Sequence, residues 1–404
     1  MVESYLRHGM TAPATFSLYI RPTPERPWFV AFGIHRVLEL LASFAYGPQE
    51  IAYLRRIGIA DDALAWLEGF RMSGEVWAVE DGTVVLADEP LLEVTAPLPA
   101  AQLIETAVIN LVQLPTLIAT KAARVALAAD GHTVVDFGLR RAQGLETGVE
   151  AALSAYVGGG LATSNLEAGR RYGIPVVGTM AHSFVQAWPS ELDAFRAFAE
   201  DHPDNVVLLV DTYDTLEGVR NAIVVAGELR ARGARLAGVR IDSGDLAALS
   251  REARRMLDEA GHPDVRILAS GGLDENEIAE LVGQRAPIDS FGVGTDLVVS
   301  RDRPAADIAY KLVAYDGRPV AKRSPGKETL PGAKQVFRSP DGDVLGLRDE
   351  HLEGEPLLSP AWRDGEALRT FDMEAARRRA SGGLEALPRT ERPRLSERLR
   401  ALTG

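Results

Sequence analysis

The sequence predicts a mixed α/β protein in which a central run of parallel βα units is joined to a smaller, β-rich domain formed by both ends of the chain. From Thr133 onward, short apolar runs alternate with helical patterns, which is typical of a parallel sheet covered by helices. The opening third mixes strands and helices, and after Arg301 the pattern changes to short strands and turns. We therefore assign residues 116–300 to the βα domain, and residues 1–115 and 301–404 to the smaller domain.

Apolar periodicity and turn residues define the elements of the first third. The Asp81-Gly82 pair between Val76–Val79 and Thr83–Leu86 predicts a β-hairpin. A long helical pattern is interrupted at Pro115, since proline removes a helix hydrogen bond. The other predicted elements are a strand over Thr15–Arg21 and helices over Gly33–Phe44, Pro48–Leu54 and Ala101–Ala129.

Six apolar runs of the central region predict parallel strands, each ending in a polar segment that usually contains glycine. They begin at Thr133, Ile174, Val206, Leu236, Val265 and Ile288. The helical patterns between them cover Glu191–Glu200, Thr215–Arg232, Leu246–Ala260 and Glu275–Val282. An arginine-rich helical segment, Met373–Leu402, is interpreted as a solvated terminal helix rather than a phosphate-binding tail.

Composition restricts the chemistry. The 404 residues carry a net charge of −13, which argues against nucleic acid or an anionic membrane as the main partner. There is no cysteine, so disulfides, zinc fingers, iron–sulfur clusters and thiol nucleophiles are excluded. The N-terminus lacks a signal-peptide core, and no uninterrupted apolar run approaches the ~20 residues that span a bilayer. A cytoplasmic enzyme is therefore expected.

Glycine-rich loops follow the last two predicted strands. Glycine lets backbone amides approach a ligand closely, so these loops suit phosphate, with a tight-turn role as the alternative. In βα barrels the phosphate site usually follows the final strands. We therefore expect a phosphorylated ligand at two segments, Ser270-Gly271-Gly272 and Gly292-Val293-Gly294-Thr295.

Arg240 and Asp242 alternate around Ile241 at the end of a predicted strand, so both side chains point to one face. A guanidinium binds phosphate or carboxylate bidentately, whereas a carboxylate binds sugar hydroxyls or magnesium. The pair therefore suits a ligand with a diphosphate and a sugar. A structural ion pair is the alternative.

Two more strand ends carry candidate side chains. Phe137 could stack on a flat ring, and Arg140 or Arg141 could bind an anion, although adjacent arginines cannot both face one site. His182 stands apart from the other histidines because it lies between a buried strand and a helix, yet a lone histidine is usually structural. No partner for a Ser–His–Asp triad and no metal-ligand histidine spacing is recognisable.

The run Val206–Thr215 superficially resembles the donor-binding loop of type I phosphoribosyltransferases. It lacks the adjacent acidic pair and the glycine before threonine that this loop requires. Asp211 and Asp214 are therefore interpreted as strand-end residues of a different architecture.

Several motifs together resemble nicotinate phosphoribosyltransferase, in order along nearly the whole chain. They are Asp136-Phe-Gly-Leu-Arg-Arg-Ala-Gln-Gly144, Thr163-Ser-Asn-Leu-Glu-Ala-Gly169, Gly178-Thr-Met-Ala-His-Ser183, Arg240-Ile-Asp-Ser-Gly-Asp245, Tyr310-Lys-Leu-Val313, Gly317-Arg-Pro-Val320 and Thr329-Leu-Pro-Gly-Ala-Lys-Gln-Val-Phe-Arg338. The resemblance implies a type II phosphoribosyltransferase fold, which is an incomplete α/β barrel plus an open-faced α/β sandwich formed by the N- and C-terminal segments.

The family resemblance also implies a reaction. Nicotinate reacts with 5-phosphoribosyl 1-diphosphate (PRPP) to give nicotinate mononucleotide and diphosphate in NAD biosynthesis, with Mg²⁺ as cofactor and ATP hydrolysis coupled through a phosphohistidine. Because the pyridine nitrogen already carries a lone pair, the protein mainly positions the reactants and stabilises charge. The family further implies a homodimer with its sites near the subunit interface.

Residue by residue, the resemblance makes His182 the phosphorylated histidine and places Asp242 at the ribose or Mg²⁺. Arg240 and Asp242 are implied to act in catalysis. The implied nicotinate-binding residues are Phe137, Arg140, Asn165, Thr179 and Arg240, with Phe137 and Arg140 near the ring and its carboxylate. The implied phosphate-binding residues are Gly271, Gly272, Gly294 and Thr295.

Asn165 bears on the choice of substrate. Its position resembles one held by aspartate in the related nicotinamide enzyme, where a carboxylate accepts a hydrogen bond from the carboxamide. A carboxylate would repel nicotinate and a neutral asparagine would not, so nicotinate is favoured over nicotinamide. The extended C-terminal segment speaks against quinolinate as substrate. A degenerate, metabolite-binding member is a further alternative, which intact His182, Arg240 and Asp242 oppose.

The N-terminus departs from the family pattern. Family members begin with a Thr-Asp-x-Tyr-x-Leu-Thr-Met-like stretch whose tyrosine stacks on nicotinate, often across a dimer interface. Met1 resembles the final methionine of that stretch, and Tyr5 does not align with the tyrosine. We expect either that the start lies upstream or that one side of the aromatic sandwich is absent.

Overall fold

The computed structural model describes residues 1–387 and 390–403. Its helices are α1 Val2–Arg7, α2 Ile34–Ser43, α3 Pro48–Arg56, α4 Asp61–Glu68, α5 Leu98–Leu103, α6 Glu105–Ala128, α7 Leu145–Val157, α8 Leu166–Tyr172, α9 His182–Gln186, α10 Glu191–Asp201, α11 Thr215–Ala231, α12 Leu246–Glu259, α13 Glu275–Gly283, α14 Thr295–Val298, α15 Met373–Glu385 and α16 Glu397–Thr403. Its strands are β1 Pro13–Ile20, β2 Trp28–Val30, β3 Glu75–Ala78, β4 Val84–Leu86, β5 Pro90–Pro97, β6 Thr133–Asp136, β7 Ala162–Thr163, β8 Val206–Leu209, β9 Leu236–Ile241, β10 Arg266–Ser270, β11 Ser290–Val293, β12 Ile308–Tyr315, β13 Arg318–Pro319, β14 Lys334–Arg338, β15 Val344–Leu347, β16 Glu355–Pro356, β17 Ser359–Arg363, β18 Glu366–Ala367 and β19 Arg394–Leu395.

The chain divides into two compact units. One, here the parallel-sheet unit, is Lys121–Pro304; the other, the mixed-sheet unit, combines Met1–Thr120 with Ala305–Gly404. The first boundary falls inside α6 and the second follows α14. The sequence patterns place these boundaries after residues 115 and 300.

Six parallel strands form the sheet of the parallel-sheet unit, in the order β7-β6-β11-β10-β9-β8. The order leaves β7 and β8 as free edges, so the sheet is a barrel that does not close. Strand residues such as Val239, Ile267 and Phe291 are fully buried, as expected for a sheet with both faces covered. Carboxylates at strand ends also begin the next helices: Asp214 and Asp245 cap α11 and α12.

The strand predicted at Ile174 is wrong. Val176 makes only an isolated bridge to Thr163, and the strand that extends the sheet beyond β6 is the two-residue β7. The physical reason is Pro175, which has no N–H to donate to a strand ladder. Its carbonyl accepts from Thr163 N at 3.0 Å, and Val177 N donates back to the Thr163 carbonyl at 3.0 Å.

Strands from both ends of the chain build the main sheet of the mixed-sheet unit. Its order is β13-β12-β1-β5-β3-β17-β18, so β1 lies between β12 from the C-terminal segment and β5 from the N-terminal segment. Phe16 of β1 stacks on Tyr310 of β12 with ring centroids 4.9 Å apart. Smaller sheets in this unit are β16-β14-β15-β19 and β2-β4.

The predicted hairpin around Asp81-Gly82 is also wrong, because its two arms join different sheets. β3 pairs with β5 and β17, whereas β4 pairs with β2. The Asp81 carboxylate accepts from the backbone N–H groups of Ile34 and His35, both at 3.0 Å, and so caps α2. Asp81 in this turn therefore caps the start of α2, which is distant in sequence, and the turn does not close a hairpin.

Pro115 does not interrupt its helix, since α6 runs continuously from Glu105 to Ala128. Proline at 115 leaves the Leu111 carbonyl without its helical donor. Gly33 packs against that carbonyl so closely that a Cβ there would lie 2.3 Å from the oxygen. The hydroxyl of Thr116 also accepts from Phe32 N at 3.1 Å, which ties the helix to the preceding loop.

The long helix α6 could cross a membrane by its length and composition. However, 61% of its most apolar window is buried, which is typical of a core helix.

The C-terminal segment differs from its predicted form. The helix predicted over Met373–Leu402 is two helices, α15 and α16, with β19 between them. Positions 388–389 of that prediction lie outside the described residues.

Glu89 gives the mixed-sheet unit a pH-dependent stability. Burial, and then the neighbouring Asp343, raise the pKa of Glu89 well above its usual 4.5, so the folded chain binds a proton that the unfolded chain releases. That stabilisation is complete below pH 4.5 and is lost as pH rises through the folded pKa, by up to ~1.4 kcal/mol per pH unit. We expect Glu89→Gln, which is always neutral, to flatten this slope in urea unfolding measured at increasing pH above 4.5. The exposed Glu353→Gln should leave it unchanged, and identical slopes for wild type and Glu89→Gln would contradict the protonated Glu89.

Candidate active site

The polar segments that follow the parallel strands meet at one edge of the sheet. Because β6, β11, β10, β9 and β8 all run in the same direction, their carboxyl ends lie side by side. In register, Ser270 of β10 pairs with Gly292 of β11, and Ala269 with Ile241 of β9. The phosphate-loop candidates and the Arg240–Asp242 pair are thus neighbours in space.

Arg240 is the centre of a hydrogen-bonded cluster. Its Nε donates to Ser270 Oγ at 2.7 Å, one terminal nitrogen to Thr179 Oγ1 at 2.9 Å, and the other to Asp242 Oδ1 at 2.5 Å. The guanidinium also lies 5.1 Å from the centroid of the Phe137 ring. Three of the five N–H groups of an arginine are therefore engaged, and two remain for a ligand.

Asp242 is an ionised carboxylate. Burial opposes its ionisation, but the hydroxyl of Ser270, at 2.5 Å from Oδ1, and the charge of Arg240 outweigh burial and hold its pKa below the usual value. Its backbone N–H donates to Asp211 Oδ2 at 3.0 Å, which orders the loop that carries it. The contacts of Asp242 Oδ1 fit a structural ion pair with Arg240. They also fit a ligand-binding role, since Asp242 Oδ2 makes no hydrogen bond among the described residues and could accept one from a ligand.

His182 stands at the first position of α9 and reaches the same cluster. Its Nδ1 lies 3.2 Å from Thr212 Oγ1, and its Nε2 lies 3.9 Å from Asp242 Oδ2. The imidazole is 42% exposed, so it combines an ordered orientation with access from solvent. His182 therefore lies within ion-pair distance of Asp242, a contact that the sequence could not reveal.

Glycine is required at one of the two predicted phosphate loops. Gly271 has φ +95°, and a Cβ on it would lie 1.8 Å from the carbonyl oxygen of Asp242. Gly272 has φ +70° with nothing within 4 Å of its would-be Cβ, so its backbone faces open space. Gly294 is the residue before α14, which begins at Thr295.

Phe137 and Arg140 follow β6 but have different surroundings. The Phe137 ring lies so close to Gly292 that a Cβ there would be 2.6 Å away. Phe137 also lines a cavity of about 640 Å³ together with Gly178 and Thr179. Arg140 is exposed in the 3-10 turn Leu139–Arg141, and no ion pair with a described residue holds it.

Asn165 makes no hydrogen bond to the Arg240 cluster among the described residues. It is 1% exposed and begins α8, where its Oδ1 accepts from Glu167 N at 3.1 Å and Ala168 N at 3.2 Å. Its Nδ2 is buried without a hydrogen-bond partner among the described residues. A helix-capping role therefore accounts for its oxygen but leaves its nitrogen unexplained.

Two further residues organise the cluster: Asp211, which the sequence identified only as a strand-end residue, and Thr212, which it did not single out. Asp211 Oδ2 accepts from Asp242 N and from Ser243 Oγ at 2.6 Å, and Thr212 bonds His182. The available signal was their place directly after β8, at the sheet edge where the other strand ends meet. No group of three or more His, Asp or Glu side chains suited to a metal ion occurs within residues 1–387 and 390–403.

Comparison with known proteins identifies the family of this chain. A model described as "Nicotinate phosphoribosyltransferase (NAPRTase) family" matches residues 132–339, and one for the NAPRTase N-terminal domain matches residues 1–113. The chain belongs to the nicotinate phosphoribosyltransferase family. It is 48% identical over 397 residues to "Nicotinate phosphoribosyltransferase pncB2" of Mycobacterium tuberculosis, covering 96% of this chain and 85% of that protein. It is 42% identical over 375 residues to the nicotinate phosphoribosyltransferase of Bacillus subtilis, covering 89% and 76%.

Solved structures of relatives have the same fold. Human nicotinic acid phosphoribosyltransferase superposes with a TM-score of 0.87 at 28% identity, over 100% of this chain and 97% of that chain. Nicotinate-nucleotide pyrophosphorylase from Pyrococcus furiosus, at 24% identity and a TM-score of 0.80, shares the fold over 95% and 92%. The family, fold class and enzyme class predicted from the sequence are thereby confirmed. The roles of individual nicotinate phosphoribosyltransferase residues stay predictions.

Proposed function

We propose that this chain joins nicotinate to PRPP, forming nicotinate mononucleotide and diphosphate. The observation that carries the proposal is the Arg240 cluster, in which one guanidinium orders Thr179, Ser270 and Asp242 at the carboxyl edge of the sheet. The pyridine nitrogen forms a bond to C1 of the ribose while the C1–oxygen bond to diphosphate breaks. The diphosphate leaves with the electron pair, so positive charge develops on the ribose and no proton has to be removed from nicotinate.

The cluster supplies what such a transition state needs. The ionised Asp242 stabilises positive charge on the ribose or binds its hydroxyls, and Arg240 holds that carboxylate in place. The two remaining N–H groups of Arg240, with the exposed Arg140, are proposed to bind the carboxylate of nicotinate. Phe137 offers a ring face for stacking on the pyridine. The open backbone at Gly272 and the Gly294-Thr295 loop are proposed to bind phosphate.

Mg²⁺ fits this donor set as an ion that arrives with the diphosphate of PRPP. Mg²⁺ usually takes one or two protein carboxylates together with substrate phosphates, and Asp242 Oδ2 is such an oxygen. The ion would neutralise the leaving diphosphate. Asp242 would hold the Mg²⁺ ion, while the charges of Asp242 and Arg240 position the ribose.

We also propose that His182 is phosphorylated by ATP. In the proposed tautomer Nδ1 carries the proton and donates a hydrogen bond to Thr212 Oγ1, 3.2 Å away, which leaves the lone pair on Nε2. Nε2 forms a bond to the γ-phosphorus, the bond from phosphorus to ADP breaks, and ADP departs with the electron pair. The positive charge of the phosphorylated ring is then balanced by nearby Asp242.

A cytoplasmic homodimer is the proposed working form. Apolar side chains are exposed on α7, α8 and the segments that flank the free edge strand β7, which suits a subunit interface. These side chains are Leu145, Leu161, Leu166 and Val176. The molecular mass in solution, measured by light scattering, tests the dimer.

One assay tests the reaction. The purified protein is mixed with PRPP and Mg²⁺ and with nicotinate, nicotinamide or quinolinate, each with and without ATP. We expect a mononucleotide from nicotinate, formed faster when ATP is present. A mononucleotide formed only from nicotinamide or only from quinolinate would overturn the proposal.

His182→Ala should abolish the stimulation by ATP while leaving some ATP-independent synthesis, because the phosphate acceptor is lost but the Arg240 cluster stays intact. Rates with and without ATP measure the effect. The exposed His202 of the same unit provides the control, and His202→Ala should retain full stimulation. Full ATP stimulation in His182→Ala would rule out the phosphohistidine.

Asn165→Asp should lower kcat/KM for nicotinate by about tenfold, since a carboxylate near the site repels the substrate's carboxylate. Aspartate caps helices as well as asparagine does, so α8 should be kept. Asn276→Asp, an exposed change at the start of α13, is the matched control. Unchanged nicotinate kinetics in Asn165→Asp would remove this residue from substrate selection.

A further inference from the structure

A cavity of about 560 Å³ in the mixed-sheet unit plays no part in the reaction above. Every residue that lines it belongs to that unit. The loop over its mouth is held at its base, where Lys322 N donates to Thr329 Oγ1 at 2.8 Å and Thr329 N donates to the Lys322 carbonyl at 3.0 Å. The cavity is therefore bordered by a loop that is held in place by hydrogen bonds.

The mouth of the cavity carries more positive than negative charge. Lys322 and Arg323 are exposed, and neither forms an ion pair with any residue that the structure describes. Arg392, on the other side, lies near Asp88 and lowers the pKa of that carboxyl against the larger, opposing effect of burial. Unpaired cations at a concave site attract anions locally, although the chain as a whole carries a net charge of −13.

The remaining charged groups do not cancel this field. Lys334 at the base is already neutralised, because its Nζ lies 3.1 Å from Glu93 Oε1. Glu328 and Asp88 are the two carboxyl groups in the lining, against the three cations of the mouth. Burial raises the pKa of Asp88, while the nearby Arg392 and Arg21 lower it.

A buried hydroxyl without a partner points to the same ligand. Tyr19 is 7% exposed and lines the cavity, and its hydroxyl makes no hydrogen bond within the described chain although Arg21 lies close by. Burial raises the pKa of this phenol, so it is a neutral donor at physiological pH. Buried polar atoms are almost always hydrogen-bonded, so an orphaned donor marks a place where a ligand oxygen fits.

Apart from Thr403, the rest of the lining is apolar, which restricts the ligand further. A simple inorganic anion would leave these aliphatic side chains uncovered, whereas a planar ring would cover them. The apolar residues are Ala321, Leu330, Leu345, Pro393, Leu395 and Leu402.

We propose that this cavity is a binding site for a nucleotide, separate from the catalytic cluster. The phosphates bind Lys322 and Arg323, the ring lies on the leucine side chains, and the Tyr19 hydroxyl donates to a ligand oxygen. The site lies in residues that the proposed reaction does not use, so it stands or falls independently of that reaction.

Photolabelling of the whole protein with 8-azido-ADP, followed by peptide mapping, tests the site. We expect label in peptides from 319–334 and 393–403, in addition to any label near His182. In the double variant Lys322→Ala/Arg323→Ala, the labelling of these peptides should be at least tenfold lower than in wild type. Lys327→Ala removes a charge from the same loop outside the lining and should label like wild type.

Competition identifies the ligand class. The mononucleotide product and ADP should both protect the labelled peptides, whereas inorganic diphosphate should require at least tenfold higher concentration. Tyr19→Phe keeps the ring and should weaken ADP binding severalfold. Label confined to the parallel-sheet unit, or equal label in wild type and Lys322→Ala/Arg323→Ala, would overturn the proposal.

Discussion

Arg240→Lys is expected to lower kcat/KM for nicotinate roughly 10²–10³-fold, the loss typical of removing a preorganised charged donor. Lysine offers one compact ammonium group and cannot bond Ser270, Thr179 and Asp242 in three directions as the guanidinium does. Asp242 would lose the hydrogen bond that orients it. Steady-state kinetics with nicotinate and PRPP varied in turn measure the effect.

Arg232→Lys is the matched control for this change. Arg232 is an exposed arginine at the end of α11 in the same unit, and its replacement should leave kinetics and stability within error. A Tm for Arg240→Lys close to wild type would separate lost chemistry from lost folding. Less than about a fivefold fall in kcat/KM would show that the Arg240–Asp242 pair is only structural.

Gly271→Ala is expected to be the most damaging single-methyl change at the site. Its Cβ would lie 1.8 Å from the Asp242 carbonyl oxygen, and φ +95° is unfavourable for any side chain. Both the loop after β10 and the loop that carries Asp242 must then move. We expect a loss of roughly 3 kcal/mol or more in unfolding free energy and activity near background.

Gly272→Ala provides an internal comparison for this loss. It also has a positive φ, but its Cβ would meet nothing within 4 Å, so only the backbone strain of ~1–2 kcal/mol applies. Urea unfolding of both variants measures the difference. Equal destabilisation by the two changes would mean that the close approach of Gly271 to Asp242 does not constrain the site.

Local sequence patterns predicted the elements that local physics controls. The helices α10 to α13 begin at the predicted residues because each follows a capping carboxylate or hydroxyl, such as Asp214 or Ser190. Patterns failed where a distant partner overrode the local signal. Asp81 caps α2 instead of closing a hairpin, and Gly33 packs against the carbonyl that Pro115 leaves free.

The candidate site divides in the same way. Membership of the sheet edge was predictable for Arg240 and Asp242, because they end or directly follow the buried strand β9. His182 was placed there through a predicted strand at Ile174 that the structure does not form. Which residues bond to one another was not predictable, since Thr179 and Arg240 are 61 residues apart and His182 and Thr212 are 30 apart. The substrate role of Asn165 stays a prediction from motif comparison, and the structure adds that its oxygen caps α8.

The sequence by itself determined the alternation of strands and helices, the absence of thiol chemistry, the family and the strand ends that carry polar groups. These properties depend on residue types and on spacing over a few positions, which the chain carries locally. Only the tertiary structure decided that Arg240 joins Thr179, Ser270 and Asp242, and that the Thr212 hydroxyl orients His182. It also decided that the Tyr19 hydroxyl has no hydrogen-bond partner among the described residues. Such contacts arise when segments far apart in the chain are packed together, and no local pattern encodes that packing.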